Sequence, residues 1–421
     1  MKRRMGIILL SLLLAGCTAA KAENFIPEKP PVIDMNKDGE GYDKFLQEYP
    51  SPEEFKGKLW EFGAETFRDF VHEDKRNENY SPVSLYYALG MTAAGANGQT
   101  QKEILSYLKA DNKEKLGQDI GTMYRWFYVN TKSDFNLSNS LWIDNKVPWE
   151  PEPKYLEDLK QYYFASLHHG NLATEESAKE ISEWIKKETD GHLAPKFEPA
   201  TPDTVMKLIN VIYFKGMWTE PFLTNLTEEK EFTLANGEKI QVPMMKQSYE
   251  DIFLTTPEYI RGEKSFQDGK MIFVLPKEGS DPWTLVKDKE KFYEALCGKT
   301  QEEVHGVIHL ELPKFDYKSD YMMTEKIAKK MPLPFSGEAD FTAMGFKNSL
   351  ISSVFQGTRI TVNEEGAKAS AFTEATMDTM AETQQEEPKE LIFKLNRPFI
   401  FAFQYKGVPL FMGIVANPTQ E

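Results

Sequence analysis

Residues 205–222 read VMKLINVIYFKGMWTEPF. The run is rich in β-branched and aromatic side chains, as in a long strand buried inside a large sheet. Upstream of it the pattern is mostly helical. Leu59, Phe62, Phe67, Phe70 and Val71 recur near one face at the 3.6-residue period. In NYSPVSLYYALGMTAAGANGQT (79–100), Ser81 before Pro82 makes a cap with proline at the first helical position, and the small residues that follow suit a tightly packed buried helix. QKEILSYL (101–108) gives a further short amphipathic helix, and ISEWIKKETDGHL (181–193) a helix stopped by Gly191. FNLSNSLWI (135–143) alternates like a strand.

Downstream, strand-like runs dominate: QVPMMK (241–246), KMIFVLP (270–276), VIHLELPKF (307–315), RITVN (359–363), ELIFKL (390–395) and FIFAFQYK with GVPLFMGIV (399–415). Helices first and strands later, with a mixture between, predict an α+β domain built on large sheets. The chain has 421 residues, 41% of them hydrophobic and 13% aromatic, enough to fill a sizeable core. Its 50 basic and 65 acidic residues leave a net charge of −15, which argues against a nucleic-acid partner.

The opening MKRRMGIILLSLLLAGC has a basic start, an apolar run and small residues at Ala15 and Gly16. That is the chemistry of a secretory signal over residues 1–16, too short for a spanning helix. Leu14-Ala15-Gly16-Cys17 resembles the bacterial lipobox, which would make Cys17 the lipidated first residue. Thr18 in place of Asp points, by the same resemblance, to the outer membrane, on a face the sequence leaves open. Membrane contact is then expected only through the anchor. The other cysteine, Cys297, is not expected to pair with it. The polar, proline-containing residues 17–54 read as a flexible tether to a domain over 55–421. Asp34, Asn36, Asp38 and Gly39 match the start of a calcium loop, but Phe45 stands where the bidentate Glu belongs, so a solvated turn is favoured.

No GxSxG, Walker, HExxH or CxxC motif is present, and the chain is not read as an enzyme. Neither a cofactor nor a metal is expected. Of the six histidines, His168 and His169 are adjacent and precede Gly170, which reads as a loop with the two rings pointing apart. The other informative stretch is residues 361–388, TVNEEGAKASAFTEATMDTMAETQQEEP. Ala367, Ala369, Ala371, Thr373, Ala375 and Met377 alternate with Lys368, Ser370, Phe372, Glu374, Thr376 and Asp378. The period of two would let the segment join a sheet with a narrow face inward, while its composition is that of an exposed loop. A segment with two states, an amphipathic helix and a disordered loop all fit these residues.

The chain resembles the serpin family from about residue 55 to the end. The resemblance rests on motifs in order: NENYSPVSL (77–85), GANGQTQKEI (95–104), LINVIYFKGMWTEPF (208–222), TLANGEKIQVPMM (233–245), LELPKFDY (310–317), NEEGAKASA (363–371), LNRPFIFAF (395–403) and PLFMGIVANPTQ (409–420). It implies the serpin fold, three β-sheets surrounded by eight or nine helices, with a reactive loop over about 364–388. It also implies an inhibitor of serine-type proteases. The target attacks the loop, forms an acyl-enzyme, and is trapped when the cleaved loop inserts as a new strand into the central sheet. Side chains that enter the sheet must be small and uncharged, because a buried charge would cost several kcal/mol, roughly. Ala367, Ala369 and Ala371 meet that demand. Glu364, Glu365 and Gly366 match the hinge, with Ala367 where Thr or Ser is usual. Ser81, Ser84 and Asn210 match the polar cluster beneath the central sheet, in which Gln356 takes the place of a frequent histidine. Trp218 matches the aromatic where insertion begins.

Family spacing, about seventeen residues counted from Glu364, puts the scissile bond at Met380–Ala381, with Met377 as an alternative bait. Methionine there suits an apolar primary pocket, elastase-, subtilisin- or chymotrypsin-like. The resemblance also leaves open a non-inhibitory binding module, favoured by Ala367 and Phe372, and inhibition of a cysteine protease. A monomer is expected. Cys17→Ser should shift the protein from the membrane fraction to the soluble one and remove the acyl mass, read by fractionation and intact-mass spectrometry.

Overall fold

A computed structural model describes residues 23–193, 195–298, 303–346, 349–366 and 389–420. The described residues open with α1 (Gly39–Glu48) and α2 (Glu53–Phe70), then β1 (Glu78–Tyr80), α3 (Pro82–Gly95), α4 (Gly98–Tyr107) and α5 (Lys113–Trp126). Strands and helices then mix: β2 (Asp134–Asp144), α6 (Pro153–Gln161), β3 (Ala165–Gly170), α7 (Glu175–Glu188) and β4 (Met206–Lys215). Strands dominate afterwards, with β5 (Glu228–Thr233), β6 (Lys239–Thr255), β7 (Tyr259–Phe266) and β8 (Gly269–Pro276) before α8 (Pro282–Lys287) and α9 (Lys289–Cys297). Next come β9 (Val304–Pro313), β10 (Phe315–Met322), α10 (Thr324–Lys330), β11 (Phe355–Val362), β12 (Glu390–Lys394), β13 (Phe399–Tyr405) and β14 (Val408–Val415). The α+β class holds. The strands form three sheets, and the described residues carry ten α-helices rather than eight or nine.

Helix α3 sits at the centre. Ser81 caps it by accepting a hydrogen bond from the Ser84 N–H, and Pro82 occupies the first turn. Every residue of α3 except Ala88 is buried, so its small residues are there to let neighbours approach. A Cβ on Gly90 would lie 2.6 Å from the Ile120 side chain, and one on Gly95 2.6 Å from Met344. The β13–β14 hairpin turns on Lys406 and Gly407, both at positive φ, which matches the right-handed strand twist.

Three expectations are corrected. The strand read over 205–222 ends at Lys215, because the chain turns at Gly216 and bridges to other segments at Met217 and Trp218. His168 and His169 lie on strand β3, not in a loop. Their rings do point apart: His168 stacks on Trp142, and His169 Nδ1 meets Asn24 Oδ1 at 2.7 Å. Residues 23–54, read as part of a flexible tether, are packed on the body. Phe25 exchanges both backbone hydrogen bonds with Leu167 of β3, and α1 buries Phe45 against the Trp126 and Tyr49 rings. Polar composition hid this, since the segment is pinned by the Phe45 ring and by backbone bonds at Phe25, Ile33, Met35 and Tyr49 while its other faces stay wet. The Asp34–Gly39 stretch is a turn in which Asp34 pairs with Lys37 and Asp38 caps α1.

Phe45→Ala should lower stability by about 3 kcal/mol, measured by the denaturant midpoint. A loss no larger than that from Lys44→Ala would mean that α1 contributes nothing to the body.

Candidate functional site

The site lies between two strands that do not hydrogen-bond to each other. One edge of β4 pairs with β2, and one edge of β11 pairs with β10. No ladder joins β4 to β11 among the described residues. Both strands run toward Gly366, which bridges to Met217 just past β4 and to Asn363 just past β11. They are therefore parallel in direction, with a slot between their facing edges. A cavity of about 140 Å³ occupies it, lined by Ile212, Phe214, Ile360, Val362, Phe403 and Phe411 among others. A strand entering this slot would run antiparallel to both neighbours and gain ladder bonds on both edges. With a net gain near 1 kcal/mol per bond, filling it along the length of β11 is worth on the order of 10 kcal/mol.

The chain meets the mouth of this slot at residues 363–366. Gly366 has φ +108°, and a Cβ there would lie 2.5 Å from the Gly216 carbonyl oxygen, so only glycine fits this turn. The Trp218 N–H donates to the Glu365 carbonyl at 3.2 Å, and its indole N–H to the Asn363 carbonyl at 3.0 Å. The Phe222 N–H donates to the Glu364 carbonyl at 2.9 Å. The Glu364 carboxylate accepts from Thr227 Oγ1 at 2.9 Å and pairs with Lys314 Nζ at 2.9 Å. Burial alone would push this carboxyl up, but the bonds from Lys314, its own backbone N–H and Thr227 hold it below its ordinary value.

The expected polar cluster is brought together only in part. Gln356 grips Ser81 with both ends of its amide: Oε1 accepts from the Ser81 N–H at 2.8 Å, and Nε2 donates to the Ser81 carbonyl at 2.9 Å. A glutamine thus ties β11 to the α3 cap without any titrating group. Ser84 reaches the cluster through its backbone bond to Ser81 Oγ. Asn210 is engaged elsewhere, donating to Asn139 Oδ1 on β2 at 2.6 Å, while Asn139 holds the Tyr163 carbonyl. The buried Asn79 and the half-buried Asn210 keep enclosed amide atoms without a partner among the described residues: Asn79 Nδ2 and Oδ1, and Asn210 Oδ1.

The structure brings Glu364, Glu365, Gly366 and Trp218 together. Ala367, Ala369, Ala371, Met377, Met380 and Ala381 lie outside the described residues, as does Cys17. Sequence reasoning missed Lys314, Thr227, Phe222, Asn363 and Asn139 as partners. Lys314 and Phe222 lie inside quoted motifs, but nothing local marks Thr227, 137 residues from its partner Glu364.

A family model described as Serpin (serine protease inhibitor) matches residues 58–418. Serpin-ZX of Arabidopsis thaliana is 29% identical over 369 residues, 81% of this chain and 92% of the relative. The leukocyte elastase inhibitor of Xenopus tropicalis is 29% identical, over 85% of this chain and 97% of the relative. Among solved structures, the native state of the thermophilic serpin tengpin superposes with a TM-score of 0.76 at 27% identity, covering 87% of this chain and 94% of that one. Thyroxine-binding globulin bound to thyroxine gives 0.73 at 25% identity, over 87% and 100%.

The Glu364–Lys314 pair should make stability depend on acid pH. Because the folded carboxyl is held low, its contribution is present above the unfolded value near 4.5 and is lost as pH falls through the lower folded value. Lys314→Met is expected to destabilise by about 1 kcal/mol at pH 7 and by progressively less as pH falls below the unfolded value, read from denaturation midpoints across an acid pH series.

Proposed function

We propose, from the premise that this chain belongs to the serpin family, that it is an inhibitory member acting as a suicide substrate of a serine-type endopeptidase. The observation that carries the reading is the slot. Two strand edges face each other across an apolar cavity, and the chain leading to the candidate bait loop departs from the mouth of that cavity through a glycine-dependent turn. Ala367, Ala369 and Ala371 follow that turn in sequence, which gives the incoming strand a small and uncharged inner face.

In this reading the protease attacks the Met380–Ala381 bond, and its nucleophilic oxygen forms an ester with the Met380 carbonyl while Ala381 leaves as the new amine. The loop then inserts before water reaches the ester. Free energy released in the slot distorts the protease so that deacylation stalls. Methionine at the primary position selects apolar pockets of the elastase, subtilisin or chymotrypsin kind; the relatives named as leukocyte elastase inhibitors are in line with that choice. Cleavage at Met377 would shorten the inserted strand and favour turnover over trapping. Lipidation at Cys17 would hold the inhibitor at the cell envelope, in the outer membrane, guarding it from proteases in its surroundings.

A second reading, a binding module without inhibition, draws on the likeness to thyroxine-binding globulin and on Ala367 and Phe372 at the loop's start. Incubation with elastase, subtilisin, chymotrypsin, trypsin and papain separates the two. An adduct that survives denaturing gels, with cleavage after Met380 by mass spectrometry, is the expected result with one of the first three. An adduct with papain alone would mean a cysteine-protease inhibitor. Clean cleavage with every protease and no adduct would remove the inhibitory reading.

A further inference from the structure

One lysine is buried beside the hinge. Lys264 on β7 packs its ammonium against three rings, with Tyr249, Phe222 and Trp218 centroids at 4.6, 4.7 and 5.4 Å. Its Nζ donates to the Glu220 carbonyl at 3.0 Å and to Gln247 Oε1 at 2.5 Å. Trp218 and Phe222 are the residues whose N–H groups hold Asn363, Glu364 and Glu365. The lysine therefore reaches from β7 into the space between β6 and the 218–222 segment that grips the hinge.

The surroundings offer this charge little. No carboxylate forms an ion pair with it among the described residues. The acidic groups that face it are Glu220, from the segment after β4, and the half-buried Asp251 on β6. The Glu220 carboxylate is turned toward the Gln247 amide, and the Tyr249 hydroxyl is spent on the Glu263 carbonyl. Across the ladder on β8 stands the uncharged Met271, and on the hinge Glu364 is taken by Lys314 and Thr227. Aromatic faces return part of the lost hydration. Burial nevertheless pushes the Lys264 ammonium down to about 8, with Glu220 and Asp251 pulling weakly the other way.

We propose that Lys264 is a positioning residue that sets how readily the hinge leaves the mouth of the slot: its ammonium is held at a net cost while Trp218 and Phe222 close over it, and hinge departure relieves that cost by admitting water. This rests on the reading of the chain as a loop-inserting inhibitor. The closed arrangement binds the lysine proton less tightly than an opened one, where the side chain regains its ordinary value near 10.4. Protons therefore favour opening, and the closed form gains as pH rises through about 8. Between pH 7 and pH 9 spontaneous insertion of the uncleaved loop should slow by up to about tenfold.

The test follows the conversion of the intact mature protein to its heat-resistant inserted form, by melting after incubation, from pH 6.5 to 9.5. Wild type should slow as pH rises. Lys264→Met, which keeps an unbranched apolar chain against the rings, should be slow and flat across the range. Lys264→Arg, charged throughout, should stay fast and flat, and it carries the test if the methionine variant does not fold. A wild-type pH profile in whichever variant folds, or a wild-type rate that rises with pH, would overturn the proposal. The protease-adduct experiment separates the two readings. Adducts with an unaltered pH profile in the variants sink only the role of Lys264, whereas no adduct and no conversion in wild type sink both.

Discussion

Strands β4 and β11 run the same way, side by side, with unsatisfied edges facing across an apolar cavity, and the rest of the molecule is arranged around keeping them so. A sheet edge normally recruits whatever backbone lies nearest, because each ladder bond returns a little free energy net of the water it displaces. Here the nearest backbone, residues 363–366, is kept from the slot by a reverse turn and by bonds to Trp218, Phe222, Thr227 and Lys314. The folded state is thus held short of its best-paired arrangement by a handful of contacts at one end.

The restraint is divided between groups of different chemistry. Gly366 supplies geometry, since no side chain fits where its Cβ would be. Glu364 and Lys314 supply charge at the protein's edge. Gln356 supplies a two-ended amide grip on Ser81 deeper in, where the family often has a histidine. An amide does not titrate, so the deeper contact is indifferent to pH and pH sensitivity is left to groups nearer the mouth.

Much of this was legible in the sequence, and the boundary of legibility is physical. The α3 cap, the Gly191 stop and the β13–β14 hairpin are local: the residues that decide them are within a few positions of each other. The gross order, helices first and strands later, followed from period, composition and capping residues together. Contacts made across the fold left no such trace. Thr227, just before β5, and Lys314, between β9 and β10, converge on Glu364 only once the chain is folded. The engagement of Asn210 with Asn139 likewise depends on the β2–β4 register. Residues 23–54 were misread for a different reason. Their composition is that of a solvated linker, and the few side chains that pin them, Phe25 and Phe45 above all, are too sparse to make a pattern. His168 and His169 were misplaced because the following Gly170 reads as a turn, whereas it closes strand β3.

The pairing of Phe25 with Leu167 has a mechanical consequence. Leu167 lies on β3, the edge of the three-stranded sheet farthest from the slot, since β2 and β4 stand between. Running backward from Phe25, the chain passes Asn24 beside His169, level with the first residue of β4 and about 30 Å from the hinge at that strand's other end. A pull on the N-terminal end is taken up first by the Phe25 bonds and the seat of Phe45. Those contacts act as a strain relief, in the sense of a clamp on a cable, so that a pull on the N-terminal end loads the far edge of the sheet before any of it reaches residues 363–366.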